Sequence, residues 1–213
     1  MSGHPHDHHS DHDPHAPVEE VEGPPSEHVL LEIALRELLI EKGLFAAADV
    51  TRQIEIMDAT TPEQGARLVA KFWTDPAYRQ RALADGKAAA AELGIDMSVA
   101  PKLVILENTA RLHHVVVCTL CSCYPRAVLG LPPAWYKSPA YRARTVKDSR
   151  GVLAEFGTSL PDDVEIRVVD STADCRFLVV PVRPHGSEGM DEAALAGLVT
   201  RDTMIGVTLA REP

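Results

Sequence analysis

Apolar residues recur at helical spacing early in the chain and gather into short continuous runs after about residue 100. Val29, Leu30, Ile33, Leu35, Leu38 and Leu39 follow Ser26, which can accept the first free amide of a helix, and precede Gly43, which can end one. Thr61-Pro62-Glu63-Gln64 has the form of a capping box with proline in the first turn. Asp75-Pro76 opens a further helix, and the alanine-rich stretch after Gly86 runs to Gly94. Beyond residue 100, Leu103 to Leu106, Leu112 to Val117, Val164 to Val169 and Phe177 to Val180 read as strands, with helices starting near Ser138-Pro139 and Asp191. Strands alternating with helices predict an α/β fold, a layered α-β-β-α core over residues 101–213 that follows a helical arm over 26–100.

The helical arm carries more apolar surface than short helices bury among themselves, with Phe72, Trp73 and Tyr78 close in sequence. It is expected to pack on the chain's own core, on a partner subunit, or on both. Residues 1–25 differ sharply: they hold six histidines, His4, His6, His8, His9, His12 and His15, with acids and prolines and almost nothing apolar. That composition predicts a disordered tail. Its histidines could scavenge cobalt or nickel, although a solvated tail accounts for them better.

At 213 residues the chain is long enough for one good core with an appended arm. A net charge of −10 argues against nucleic acid or an anionic membrane as partner, since both demand a basic surface. No stretch approaches the roughly 20 apolar residues of a membrane span.

Chemistry is concentrated in Cys118-Thr119-Leu120-Cys121-Ser122-Cys123, which leaves the apolar run Val115-Val116-Val117 and enters Tyr124-Pro125. Three thiols in six residues suggest a claw for one metal ion on a loop at a strand end. Cys121 and Cys123 flank two backbone nitrogens, those of Ser122 and Cys123, so two sulfurs and two deprotonated amides can chelate one ion in a plane. Cys118 can then cap one face and leave the other open, as a catalytic metal requires. Such an N2S3 set suits trivalent cobalt or iron better than zinc, which favours tetrahedral sites.

Other readings fit less well. A structural zinc site usually has a second ligand pair, and none follows here. An iron-sulfur cluster normally needs four thiolates, and Cys175 is the only other cysteine. A disulfide framework is disfavoured by sparse, crowded cysteines and by the absence of a recognisable secretory signal ahead of them. Cys175 itself reads as a small buried hydrophobe. Thiols that must load a metal fit a reducing, cytoplasmic setting.

The run Val115 to Tyr136, VVVCTLCSCYPRAVLGLPPAWY, with Lys137 and Tyr141-Arg142-Ala143-Arg144, resembles the alpha subunit of nitrile hydratase and the homologous metal-bearing subunit of thiocyanate hydrolase. Glu107-Asn108-Thr109, Val152 to Glu155, Arg183-Pro184, Glu188-Gly189 and Leu198 to Asp202 with Met204 to Val207 extend the resemblance over about the last half of the chain. Thr119 points to the cobalt type. The resemblance implies thiolate ligation by Cys118, Cys121 and Cys123, amide ligation by Ser122 and Cys123, and one trivalent cobalt per chain ahead of iron. It further implies a Cys121 sulfinate and a Cys123 sulfenate, both ordinary rungs of thiol oxidation. Catalytic roles would fall to Cys123 as nucleophile or base, to Cys121, and, chiefly through its backbone, to Ser122. Beta-type partner subunits, whose arginines would hold the sulfur oxygens, and a cobalt-delivery activator are also implied.

Two positions depart from the usual nitrile hydratase pattern. Arg126 stands where a tryptophan is common, and its permanent charge and five donors suit an anion such as thiocyanate or a polar nitrile. A salt bridge to an acidic partner surface would explain it too. His114 stands where asparagine is common; with His113 it reads as a packing or hydrogen-bonding residue. The expected activity is hydration of a nitrile to its amide; the first alternative is thiocyanate hydrolysis and the second is non-catalytic metal binding.

Overall fold

The computed structural model describes residues 24–213, so the expectations placed on the histidines between His4 and His15 lie outside the described residues. Eleven helices and four strands are described, in the order α1 (Glu27–Glu41), α2 (Ala47–Ala59), α3 (Glu63–Thr74), α4 (Pro76–Ala84), α5 (Gly86–Glu92), β1 (Lys102–Glu107), β2 (Leu112–Val117), α6 (Arg126–Leu129), α7 (Ala134–Lys137), α8 (Pro139–Thr145), α9 (Ser149–Glu155), β3 (Glu165–Asp170), β4 (Cys175–Val180), α10 (Glu192–Gly197) and α11 (Arg201–Ile205). The fold is mixed α/β, with N-terminal helices ahead of two small parallel sheets. No helix among the described residues is long and apolar enough to cross a membrane.

Helix starts follow the caps written in the sequence. Ser26 accepts from the Val29 amide, Asp75 from those of Ala77 and Tyr78, Asp85 from that of Ala88 and Ser138 from that of Tyr141. Thr61 differs from expectation. Pro62 occupies the N-cap of α3 without a side-chain cap bond, and the Gln64 amide turns back to the Thr61 carbonyl instead.

β1 pairs with β4 and β2 with β3, both in parallel, and β2 also packs against β4. Parallel pairs need long crossovers, supplied here by α6 to α9. β2 is buried on both faces, with Val115, Val116 and Val117 at the centre of the core, so the strand that delivers Cys118 is rigid. Tyr78, Tyr136, Tyr141, Leu68, Leu129 and Leu178 are among the largest fully buried side chains of that core.

Burial changes abruptly near residue 60. α1 and α2 bury no residue, whereas α3 buries six of its twelve, Phe72 among them, and α4 adds Tyr78. Trp73, half-buried, donates through Nε1 to the Pro181 carbonyl at 3.0 Å. The Phe72, Trp73 and Tyr78 surface thus packs on the chain's own core, while the face of α1 stays exposed.

Candidate metal centre

β2 ends at Val117, whose carbonyl accepts from the Ser171 amide at 2.8 Å, and the chain turns at once into the cysteine loop. Cys118 is buried, Cys123 half-buried and Cys121 exposed. All three are free thiols, and their sulfurs lie within 4.8 Å of one another. Cys121 Sγ is 3.5 Å from that of Cys118 and 3.3 Å from that of Cys123, while the Cys121 amide donates to Cys118 Sγ at 3.3 Å. The triad is therefore preassembled on one side of the loop. Among the described residues it is the one group of three or more histidines, cysteines or acids close enough to share an ion.

Four side chains from four elements grip this loop. Asp170, at the end of β3, accepts from the Thr119 amide at 3.0 Å and from its hydroxyl. Arg142 on α8 donates through Nη1 to the Cys121 carbonyl at 3.1 Å. Tyr136 on α7 donates to the Cys123 carbonyl at 2.8 Å, and Arg176 on β4 donates through Nε to the Tyr124 carbonyl at 3.2 Å. Sequence reading missed all four, because they lie 13 to 52 residues from their partners and no local pattern links them.

Under the loop lies an aromatic platform. Tyr124 meets Tyr136 edge-on at 5.1 Å, and Trp135 meets Tyr141 and Phe156 at 4.9 and 4.7 Å. Tyr136 of the Leu-Pro-Pro-Ala-Trp-Tyr-Lys run thus supports the loop directly and Trp135 packs against Tyr136 behind it.

The thiols share protons unevenly. Hydrogen bonds from Cys123 and Cys118 to its sulfur hold the Cys121 thiol below the usual range. Burial, and then competition with Cys121, push Cys123 up to about 12, opposed by the Arg176 guanidinium. Without a cation the cluster supports one thiolate far more readily than three, whereas a bound cation stabilises them all. The donor set fits a metal: three convergent sulfurs, with the Ser122 and Cys123 amides between the last two. A trivalent ion suits it better than zinc on the grounds of ligand chemistry. Cys175 begins β4 and is half-buried, so it is less enclosed than expected, and it stands outside the triad.

Cys121, Ser122 and Cys123 open into a cavity of about 820 Å³ between the loop, α2 and the 94–101 segment. Ile56, Met57, Met97, Val99, Ala127 and Leu131 give it apolar walls, and Arg126 and Arg176 give it two cations. Arg126, the first residue of α6, is exposed and makes no ion pair among the described residues. Gly130, at positive φ, lets the Thr60 carbonyl at the end of α2 close against the cavity edge, where a Cβ would collide with it.

Behind the site, His113 and His114 are buried and hydrogen-bonded. His113 Nε2 lies 2.8 Å from the Gly206 carbonyl, which can only accept, so Nε2 carries the proton and Nδ1 accepts from Asn108 Nδ2 at 3.1 Å. Asn108 Oδ1 accepts from the His114 amide and from its Nδ1, at 2.8 and 3.0 Å. Burial lowers both imidazole pKa values. Neither histidine belongs to the metal cluster.

The family model described as nitrile hydratase, alpha chain, matches residues 26–208. The chain is 49% identical over 181 residues to the low-molecular weight cobalt-containing nitrile hydratase subunit alpha of Rhodococcus rhodochrous, covering 84% of this chain and 87% of that one. It is 47% identical over 205 residues to the thiocyanate hydrolase subunit gamma of Thiobacillus thioparus, covering 91% and 83%. Among solved structures, a recombinant thiocyanate hydrolase comprising partially modified cobalt centres matches with TM-score 0.83 and 46% identity, over 88% of this chain and 92% of that one. A double mutant of the Fe-type nitrile hydratase from Comamonas testosteroni Ni1 matches with TM-score 0.81 and 42% identity, over 89% and 94%. With its cysteine triad gathered at the end of a buried strand, the chain belongs to the nitrile hydratase alpha-chain family, the metal-bearing subunits of hetero-oligomeric enzymes.

Proposed function

We propose that this chain is the metal-bearing alpha subunit of a cobalt-type nitrile hydratase, which adds water to a nitrile to give the amide. The observation that carries this reading is the convergence of Cys118, Cys121 and Cys123 beside an open cavity with largely apolar walls. The three sulfurs and the Ser122 and Cys123 amide nitrogens would hold one Co³⁺. A trivalent ion there supplies Lewis acidity that makes a carbon–nitrogen triple bond susceptible to water.

The remaining steps belong to the chain. Asp170, Arg142, Tyr136 and Arg176 hold the loop backbone so that its donors need not reorganise. The apolar wall seats the hydrocarbon part of a nitrile and limits the water that reaches it. Cys123, as the sulfenate that the resemblance implies, would present an oxygen that takes a proton from the attacking water and passes it to the nitrile nitrogen, or that adds to the nitrile carbon and is replaced from water. Cys121 as the sulfinate and Ser122 flank it and complete the polar rim.

A partner subunit completes the enzyme. Val29, Leu30, Leu31, Leu35 and Leu38 of α1 and Ile54, Ile56 and Met57 of α2 are exposed, an apolar load on the arm that suits a beta-type chain. A cobalt-delivery activator would serve loading of the site.

A second reading, thiocyanate hydrolysis to carbonyl sulfide and ammonia, is favoured by Arg126 and Arg176 beside Cys123 in the cavity wall, since an anion gains from both. The test is turnover by the assembled complex: amide from neutral nitriles supports the first reading, and carbonyl sulfide with ammonia from thiocyanate the second. If Arg126 binds an anion, Arg126→Met lowers kcat/KM for thiocyanate by about 10- to 100-fold, the worth of a hydrogen bond to a charged group, and leaves neutral nitriles nearly unchanged.

A further inference from the structure

Arg142 sits on the last turn of α8, where an arginine ordinarily faces water and favours the helix dipole. Here it is half-buried, and its Nη1 reaches 3.1 Å to the Cys121 carbonyl. Its Nε is buried with no hydrogen-bond partner, and it makes no ion pair among the described residues. Arg144, two residues on, behaves conventionally and pairs with Glu155 on the surface. A half-buried guanidinium whose Nε is shielded and that meets no carboxylate among the described residues needs another reason to be there.

The atom it grips supplies one. The Cys121 carbonyl belongs to the same planar peptide unit as the Ser122 nitrogen, one of the two main-chain donors of the metal set. In a trans peptide the oxygen and the nitrogen substituent point to opposite sides, so fixing the oxygen fixes where the nitrogen points. The hydrogen bond is charge-assisted, and arginine keeps its charge at any working pH. Tyr136 grips the Cys123 carbonyl, whose peptide carries the Tyr124 nitrogen, which is no donor. The neighbouring Tyr141 donates to the Val116 carbonyl at 2.7 Å, two residues before Cys118. One short helix thus gauges the ligand run at two points, the strand that delivers the first sulfur and the peptide that follows the second.

We propose that Arg142 is a positioning residue for the metal loop: by holding the Cys121–Ser122 peptide plane, it sets how firmly the ion is retained. This deepens the reading of Cys118, Cys121 and Cys123 as the metal centre and rests on it. Outer partners of metal ligands are worth about 10- to 100-fold in affinity, and Arg142 is placed to act on that scale.

The test compares wild type, Arg142→Met, Arg142→Lys and Arg144→Met, each assembled with its partner chains and loaded with cobalt. Cobalt per chain, the rate of cobalt loss to excess chelator, and the visible sulfur-to-metal absorption band are measured, with far-ultraviolet circular dichroism to verify folding. The proposal expects Arg142→Met to lose cobalt at least about tenfold faster and to shift the band while staying folded. Arg142→Lys should recover part of the retention, and Arg144→Met should match wild type. Wild-type retention and spectrum in Arg142→Met would overturn it, as would equal loss in Arg144→Met or a fold lost in both Arg142 variants. Absence of tightly bound cobalt from the wild-type complex would instead sink the metal-centre reading itself, which separates the two failures.

Discussion

The α1–α2 arm and the cysteine loop invert the usual relation between regularity and support. The arm is regular helix over Glu27–Glu41 and Ala47–Ala59 yet buries nothing, while the loop from Cys118 to Cys123 has no regular structure and is gripped from four elements. A helix satisfies its own backbone, so it can stand clear of the core. A loop must find partners for its carbonyls and amides elsewhere, and those partners fix it in place. Here the irregular segment is the more firmly held of the two, as the proposed five-donor metal site would require.

The sharpest way to break this contrast is to remove a ligand. Cys121→Ser should abolish cobalt retention and turnover, an effect larger than the roughly 10- to 100-fold that outer-shell partners carry, with the chain still folded by circular dichroism. Retained cobalt would show that the loop does not hold the ion. Next in size is a matched pair of truncations read by urea unfolding of the chain. Leu68→Ala in α3, fully buried, should cost about 2–5 kcal/mol, and Leu35→Ala in α1, exposed, no more than about 0.5 kcal/mol. Equal costs would mean that the arm is folded onto the core in solution.

Leu35→Glu with Leu38→Glu should leave the stability of the unassembled chain nearly unchanged but prevent it from co-eluting with its partner on size exclusion. Co-elution would move the interface off α1. The mildest lever is pH. His113 and His114 have folded-state pKa values below the ordinary 6.5, so the unfolded chain binds more protons as the pH falls through that value. Stability should therefore decline below about pH 6.5 and recover above it. In His113→Gln that slope should flatten, while the arm, with no buried titrating group, should leave it unchanged.

What the sequence made legible follows the same divide. β2 is read at its true bounds because Val115-Val116-Val117 is an unbroken apolar run, and α1, α4 and α8 start at cap residues that announce themselves. The triad is legible because its members are neighbours in the chain. α2 is less so, since AADVTRQIEIMDA mixes polar and apolar positions with no buried face to set a stripe. The parallel pairing of β1 with β4 and of β2 with β3 is tertiary, as are Asp170, Arg142, Tyr136 and Arg176 around the loop; nothing near them in sequence names their partners. The Thr61 cap failed for a local reason: Pro62 takes the capping position itself. The Leu-Pro-Pro-Ala-Trp-Tyr-Lys run reads as a family mark, and the fold divides it: Trp135 and Tyr136 meet edge-on in the aromatic cluster behind the loop, while Leu131 lines the cavity.

Native mass spectrometry of the complex assembled with its partner chains tests the central claim most directly, because one spectrum weighs both the ion and any oxygen on the loop. The account predicts one cobalt for each copy of this chain, with added oxygen that maps to Cys121 and Cys123 after digestion. Zinc in its place, with all three sulfurs carrying no oxygen, would contradict it.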